Sequence, residues 1–411
     1  EATPGVEEIL NSGMVTGYIG FDPTAPALTI GNYVPIMLLK LFQLSGHQPI
    51  VLMGGATGRI GDPSGKDAER ELKSFEELDR NLAHQAEQMK KLLNFDHGPN
   101  KAIMVNNLDF YKGMSVLDFL RDVGKTLTIN YMLAKDSVKN RLESGLSFTE
   151  FSYQLLQAYD FEVLFKNYNC ILQMGGSDQW GNITSGTEFI RRHLGEKAYA
   201  LTAPLLTKAD GTKFGKSASG NIWLDPAKTS PYRFYQFWIN TEDANIGKYT
   251  RYFTLHTQQE VEAAEREHAG NPNELKRLLA EELTVRIHSQ EAYESVKKVS
   301  ELLFGKNADR DHLLAMSAGE LQTVSEEIPC KQVPRALFAE GVAIAELLSE
   351  HTDIASSKSD ARRAIQGNSV SVNKEKITQH DQRIDHAALL HSRFLMVENG
   401  KKNKYMVEVL E

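Results

Sequence analysis

The sequence predicts an α/β protein: a doubly wound parallel sheet, then a helical region, then a small α+β unit. Three observations lead there. Short apolar runs alternate with amphipathic helical stretches up to about residue 205, the pattern of βαβ crossovers. Turn residues gather where the runs end, as at Gly20, Asp22 and Pro23. From Pro231 to about residue 330 the period is helical throughout, and residues 340–411 mix a short helix with a strand.

The first unit is the most telling. Gly17-Tyr18-Ile19-Gly20-Phe21-Asp22-Pro23-Thr24 reads as a strand and its exit turn. Ala27-Leu28-Thr29-Ile30-Gly31-Asn32 is a loop that opens a helix, whose apolar face is expected at Val34, Met37, Leu38 and Leu41. A helix start of this kind welcomes an anion, and Gly31 leaves no side chain in the way. It also reads as an ordinary βα connection.

Residues 48–53 form a buried parallel strand, followed by the glycines of 54–65. These are not a Walker loop, because the first glycine and the Ser or Thr after Lys66 are missing. Asp62 stands at the carboxyl end of that strand, where open α/β sheets bind ligands; by the residues alone a turn or cap role is the favoured alternative. Residues 68–95 are helical, and residues 101–105 form a strand ending at Asn106-Asn107. Residues 115–148 read as helices of an insertion. In the next helix Tyr153, Gln157 and Asp160 fall at i, i+4 and i+7, on one face. A phenol, an amide and a carboxylate there are costly to bury without a polar ligand; a solvated face is the alternative.

A second glycine turn, Gln173 through Asn182, follows the apolar Cys170-Ile171-Leu172. The loop 208–217 places Lys213 and Lys216 between Gly211 and Ser217, flexible and cationic; Asp210 excludes a Walker motif. Asn273 is expected to cap a helix with a stripe of Leu275, Leu278, Leu279 and Leu283. Residues 317–335 read as a linker or hinge. Residues 359–365 form a helix, and Gly367-Asn368 turns into the strand 369–373.

Composition sets bounds. The chain has 411 residues, room for two or three domains, with 41% hydrophobic and 24% charged residues, ordinary for a soluble protein. No apolar run is long enough for a membrane span. Cys170 and Cys330 lie far apart, without zinc spacing; they point to a reducing compartment, hence a cytoplasmic location. The net charge of −8 disfavours a broad nucleic-acid surface, but residues 340–411 are nearly charge-balanced and can hold a local basic patch.

Thr29-Ile30-Gly31-Asn32 stands where class I aminoacyl-tRNA synthetases carry His-Ile-Gly-His. Lys213-Phe214-Gly215-Lys216-Ser217 matches their Lys-Met-Ser-Lys-Ser element in its Lys-Phe-Gly-Lys form. With the stretch 17–24 and Gly175-Gly176-Ser177-Asp178-Gln179-Trp180-Gly181-Asn182 in the same order, the chain resembles the bacterial-type tyrosyl-tRNA synthetases over nearly its whole length. The resemblance implies a Rossmann-like catalytic domain at 1–205 whose insertion at about 115–148 forms a dimer interface. It implies a mobile lysine loop and helical tRNA-binding domain at 206–330, an S4-like RNA-binding domain at 340–411, and a helical segment ahead of Glu1.

The implied reaction joins L-tyrosine and ATP into tyrosyl-adenylate, then passes the tyrosyl group to the terminal ribose of tRNA(Tyr). Tyrosine is expected at Tyr18, Asp62, Tyr153, Gln157, Asp160 and Gln173. ATP is expected at Gly20, Asp22, Gly31, Asn32, Gly176, Asp178, Gln179, Lys216 and Ser217. Thr24, Thr29, Asn32, Lys213 and Lys216 are the expected catalytic residues. RNA phosphates are expected at Lys358, Arg362, Arg363, Lys374 and Lys376, where a solvated charged face is the alternative. Mg2+ is expected to arrive with ATP, with no zinc or organic cofactor. The partners are the tRNA and a second copy of the chain, with no membrane. Both motif histidines are replaced, Thr29 being the harder substitution to explain: a hydroxyl on the phosphate or a helix cap. The sister tryptophanyl enzymes share the fold, but the Tyr153/Gln157/Asp160 face favours a phenol over an indole. A non-enzymatic RNA-binding relative would not need the lysines of the 213–217 loop, although the lost histidines suit it.

Overall fold

The computed structural model describes residues 1–64, 72–139, 141, 145–207, 214–217, 220–305, 308–400 and 403–411. It divides into two compact units: Glu1–Thr229 with Phe237–Leu279, and Ser230–Gln236 with Ala280–Glu411.

The first unit is built on five parallel strands: β1 (Thr16–Phe21), β2 (Gln48–Met53), β3 (Ile103–Asn106), β4 (Cys170–Gly176) and β5 (Tyr199–Ala203), in the order β3-β2-β1-β4-β5. The order reverses between β1 and β4, and crevices at such a reversal bind ligands beyond the carboxyl ends of the strands. Helices α1 (Ile30–Leu44), α2 (Phe75–Leu92), α3 (Phe148–Tyr168) and α4 (Trp180–Leu194) connect the strands. The central strands are apolar because both faces are covered: Ile50, Val51 and Leu52 are buried.

Helix α1 turns a different face inward from the one expected. Tyr33, Ile36, Met37 and Phe42 are buried, whereas Leu41 is 38% exposed. The aromatic Tyr33 and Phe42 fill more of the core than Val34 and Leu41 would, and they set the rotation of the helix. In the insertion, short helical turns cover Val116–Asp118, Phe119–Val123, Ile129–Leu133 and Asp136–Lys139. The helix Pro272–Ile287 begins one residue before Asn273, so Asn273 sits in its first turn and does not cap it. Leu275, Leu279 and Leu283 are buried, but Leu278 is 39% exposed, because a strict 3.6 period puts it a quarter-turn off the stripe.

The second unit joins helices α5 (Gln290–Phe304) and α6 (Ala318–Glu327) to a five-stranded sheet. Its strands are β6 (Cys330–Pro334), β7 (Val370–Val372), β8 (Glu375–Lys376), β9 (Phe394–Asn399) and β10 (Asn403–Leu410), in the order β8-β7-β9-β10-β6. The stretch 317–335 is therefore not a linker. Ser317 and Glu320 form a capping box that starts α6, and Leu321 and Val324 share one buried cluster with Val299, Leu302, Phe394, Met396 and Met406. The helix Lys358–Gln366 and strand β7 stand where the sequence predicts them.

Candidate active site

Strand β1 delivers the first side chain. Parallel pairing sets Tyr18 opposite Gln173 of β4, so both lean to the same side of the sheet at its reversal point. Tyr18 is buried against Phe161, with ring centroids 5.3 Å apart, and its hydroxyl has no hydrogen-bond partner among the described residues. The same holds for Oε1 of Gln173 and Oε1 of Gln157. Burial, helped by the charge of Asp160, holds the Tyr18 phenol well above its usual pKa, so it stays protonated.

Asp160 is fully buried on α3. Tyr111 donates to its Oδ1 at 2.8 Å, and Asn107 Nδ2 donates to its Oδ2 at 2.8 Å. Burial pushes the carboxyl up to about 7 against the downward pull of those two donors, and the charge of Asp22 adds to the rise.

A chain of hydrogen bonds runs from Asp160 to the turn after β1. Asn107 Nδ2 also donates to Thr57 Oγ1 at 3.0 Å, and the Thr57 hydroxyl donates to Asp22 Oδ1 at 2.6 Å. The Tyr153 hydroxyl donates to Asp22 Oδ2 at 2.9 Å. Burial raises the Tyr153 phenol first, and the charges of Asp22, Asp62 and Asp160 raise it further. Three carboxylates thus act on one phenol. The glycines after β2 serve this packing: a Cβ on Gly54 would lie 2.0 Å from Asp22 Oδ1.

Asp62 forms a second polar centre. Its Oδ2 accepts from Gln179 Nε2 at 2.7 Å, and its Oδ1 accepts from Ser64 N–H at 2.9 Å and Asn182 Nδ2 at 3.3 Å. Gly20 is exposed on β1, while Thr24 is half-buried just beyond the turn and donates its N–H to the Asp22 carbonyl at 2.8 Å. Gly176 ends β4, and Asp178 and Gln179 form the short turn that leads into α4.

The start of α1 is a capping box. The Thr29 N–H and hydroxyl both donate to Asn32 Oδ1, at 2.9 and 2.8 Å, and the Asn32 N–H returns a long bond to Thr29 Oγ1 at 3.4 Å. Gly215 and the stretch 222–224 are clamped to this helix end. Ile30 N–H donates to Ile222 O at 2.9 Å, Ile222 N–H to Gly215 O at 3.1 Å, and Leu224 N–H to Leu28 O at 2.9 Å. Phe214 is buried among Tyr249 and Phe253, with centroids at 4.9 and 5.5 Å, and Phe253 stacks on Tyr33 of α1 at 5.8 Å. Gly215 has φ +89°, and a Cβ there would lie 2.7 Å from Ile30 Cγ2 and 3.2 Å from Gly31 N. Lys213 lies outside the described residues. Lys216 and Ser217 are described by their backbone alone, a short strand paired with Gly220–Asn221.

The structure therefore brings Tyr18, Gln157, Gln173, Asp160, Tyr153 and Asp22 into one buried polar region. Asn107, Thr57 and Tyr111 belong to it as well, and sequence reasoning missed them. The signal was present for Asn107, which follows the carboxyl end of β3, the end of the sheet where open α/β folds bind ligands. The basic residues of the second unit are less uniform. Lys358 lies 3.1 Å from both Glu346 and Glu350, Lys374 lies 2.8 Å from Glu398, and Arg363 pairs with Asp360. Arg362 is exposed with no ion pair among the described residues, and Lys376 donates only to the Asn368 carbonyl, at 3.0 Å.

Residues 11–305 match the tRNA synthetases class I (W and Y), and residues 322–407 match the tyrosine--tRNA ligase SYY-like C-terminal domain. A tyrosine--tRNA ligase of Cytophaga hutchinsonii is 54% identical over 408 residues, 98% of this chain and 95% of the relative. One from Porphyromonas gingivalis W83 is 51% identical over 413 residues, 99% and 96% respectively. The solved structure of a C-terminally truncated mitochondrial tyrosyl-tRNA synthetase from Aspergillus nidulans is 32% identical with a TM-score of 0.63, covering 71% of this chain and 86% of its own. The chain belongs to the tyrosyl-tRNA synthetases, within the class I tRNA synthetase family.

Proposed function

We propose that the crevice between β1 and β4 binds tyrosine at its buried end and ATP beside the start of α1. The chain is an aminoacyl-tRNA ligase that charges tRNA with tyrosine, and ATP is its substrate. The observation that carries the residue assignment is the set of buried atoms without partners among the described residues, Tyr18 Oη, Gln157 Oε1 and Gln173 Oε1, in the polar region of Asp160. Each would cost about 1–3 kcal/mol left unpaired, and a bound amino acid with a phenol supplies partners.

The tyrosine carboxylate attacks the α-phosphorus of ATP, the bond to pyrophosphate breaks, and tyrosyl-adenylate remains. A ribose hydroxyl of the tRNA then attacks the tyrosyl carbonyl, and AMP leaves. The substrate is its own nucleophile, so the protein contributes positioning and charge. Asp62, steadied by Gln179 and Asn182, receives the tyrosine ammonium. Asp160 and Tyr18 meet the phenol, and Tyr153 and Asp22 close the region between the two substrates. Gly20, Gly31, Gly176, Asp178 and Ser217 line the nucleotide, and Thr24, Asn32, Lys213 and Lys216 meet its phosphates. Mg2+ enters as part of the ATP substrate. ATP–pyrophosphate exchange with each amino acid tests the reading. Exchange with tyrosine alone is expected, and exchange with tryptophan in its place would overturn the pocket assignment.

Residues 1–205, 206–330 and 340–411 divide the work as catalytic, tRNA-binding and S4-like RNA-binding regions. Two copies pair through the insertion: Val116, Leu117, Leu120, Ile129 and Phe148 are 48–76% exposed there, which is unusual for apolar side chains and suits a covered face. Leu117→Asp should halve the mass seen in sedimentation equilibrium; an unchanged mass would move the interface elsewhere. The free thiols of Cys170 and Cys330 support a reducing, cytoplasmic setting.

Arg362 and Lys376 are the residues best placed for RNA phosphates, since the other basic side chains of the group already face carboxylates. Cutting the chain near residue 335 would remove Phe394, Met396 and Met406 from the core they share with α5, so substitutions test the role better than truncation. The pair Arg362→Ala and Lys376→Ala should leave pyrophosphate exchange unchanged and weaken tRNA binding. The slope of log affinity against log salt should fall by about 1 per lost phosphate contact. An unaltered slope would assign both residues to the solvated surface.

A further inference from the structure

We infer that Thr29 is a positioning residue for Asn32 and does not itself touch the phosphates; the inference rests on reading the start of α1 as the nucleotide site. The argument is one of proton count. A threonine hydroxyl carries a single hydrogen. That hydrogen is given to Asn32 Oδ1 at 2.8 Å, and the oxygen accepts the Asn32 N–H at 3.4 Å. A phosphate oxygen needs a donor, so Thr29 could serve one only by withdrawing that hydrogen from Asn32 Oδ1.

The same bonds orient Asn32. The Thr29 N–H, 2.9 Å away, can only donate, so the amide atom that faces Thr29 must be oxygen. The amide is thereby turned with Nδ2 away from the cap. Among the described residues Nδ2 has no partner, and Asn32 is half-buried at the helix start, beside the segment that leads into Lys216. Thr29 and Asn32 together do what one side chain cannot: Thr29 uses its donors locally, and Asn32 keeps a fixed neutral donor at the positive end of the helix. This accounts for a threonine where the family motif has an imidazole. Thr is among the favoured N-caps because its short hydroxyl reaches back to the N3 amide, a role the longer imidazole does not fill.

A double-mutant cycle separates the two roles. Asn32→Asp keeps an oxygen for both Thr29 donors and removes only the Nδ2 donor. It should slow adenylate formation roughly 10- to 100-fold, the size of a lost hydrogen bond to a charged group, plus any repulsion from its own charge. Thr29→Ala in the native background should slow the reaction several-fold, and Thr29→Ser should restore it to within about twofold. In the Asn32→Asp background the same Thr29→Ala change should slow the reaction by less than about twofold, because no amide nitrogen remains to be aimed; the added charge is common to both arms and cancels. Melting curves should fall equally for Thr29→Ala in the two backgrounds, reporting the cap alone. An equal rate loss in both backgrounds would overturn the positioning role and place the hydroxyl on the phosphate. Unchanged adenylate formation in Asn32→Asp would instead overturn the nucleotide reading of this helix end.

Discussion

Asp160→Ala should lower kcat/KM for tyrosine in pyrophosphate exchange by roughly 10- to 100-fold and narrow the preference for tyrosine over phenylalanine by a similar factor. The size follows from one charge-assisted bond to the phenol, about 1.5–3 kcal/mol. Phenylalanine makes no such bond, so its weak activation should change little. Discrimination that survives the substitution would remove Asp160 from the specificity site.

The same carboxyl carries a pH signature. Its pKa of about 7 lies above the usual value of about 3.9 for an unfolded aspartate. The folded state therefore binds the proton more tightly, and between those two values the folded state holds more proton than the unfolded one. The stability contributed by this group is full below about pH 4, declines as pH rises to about 7, and is flat beyond. Tyrosine binding runs the other way, because the ionised carboxylate is the better acceptor. The profile of kcat/KM should show an acid limb near 7 with tyrosine. Asn107→Ala removes a donor that favours the carboxylate, so the limb should move to higher pH. A limb that stays in place would show that another group titrates there.

Gly215→Ala should slow adenylate formation by about 100-fold while tyrosine affinity, followed by equilibrium titration, changes less than about twofold. The residue has φ +89°, and its Cβ would enter the space of Ile30 Cγ2 and the Gly31 amide. The backbone must shift, and Lys216 with it; a displacement of about 1 Å in a positioned group costs on the order of 100-fold. Lys216→Ala should give the same pattern, since its contact strengthens as charge develops on the leaving pyrophosphate. An equal loss of tyrosine affinity in Gly215→Ala would mean that the glycine serves the fold of the whole unit. The geometry also explains the Lys-Phe-Gly-Lys form of the loop: Phe214 needs the aromatic cluster of Tyr249 and Phe253, and the next residue must be glycine to lie on α1.

Features set by short-range chemistry could be read from the residues alone. The parallel sheet, the crevice after β1, the shared face of Tyr153, Gln157 and Asp160, and the helix–turn–strand of 358–372 follow from period, turn residues and spacing, which act over a few positions. Pairings between distant segments depend on the fold. The inward face of α1 was decided by whether Tyr33 and Phe42 or Val34 and Leu41 found partners, and helical period cannot rank them. Helix α6 is hard to read from the residues because its apolar stripe is short, and the surface that buries Leu321 and Val324 comes from distant segments, α5 and the strands β9 and β10. Asp160 was legible as a polar residue on a helix face, but its ties to Asn107 and Tyr111, and the tie of Asn107 onward to Thr57, each span about fifty positions. Thr29 shows both sides. Its place in a motif marked it as functional, but hydrogen-bond direction, which spacing does not carry, made it the cap that aims Asn32. A sequence lists donors and acceptors; the tertiary structure determines which are already paired.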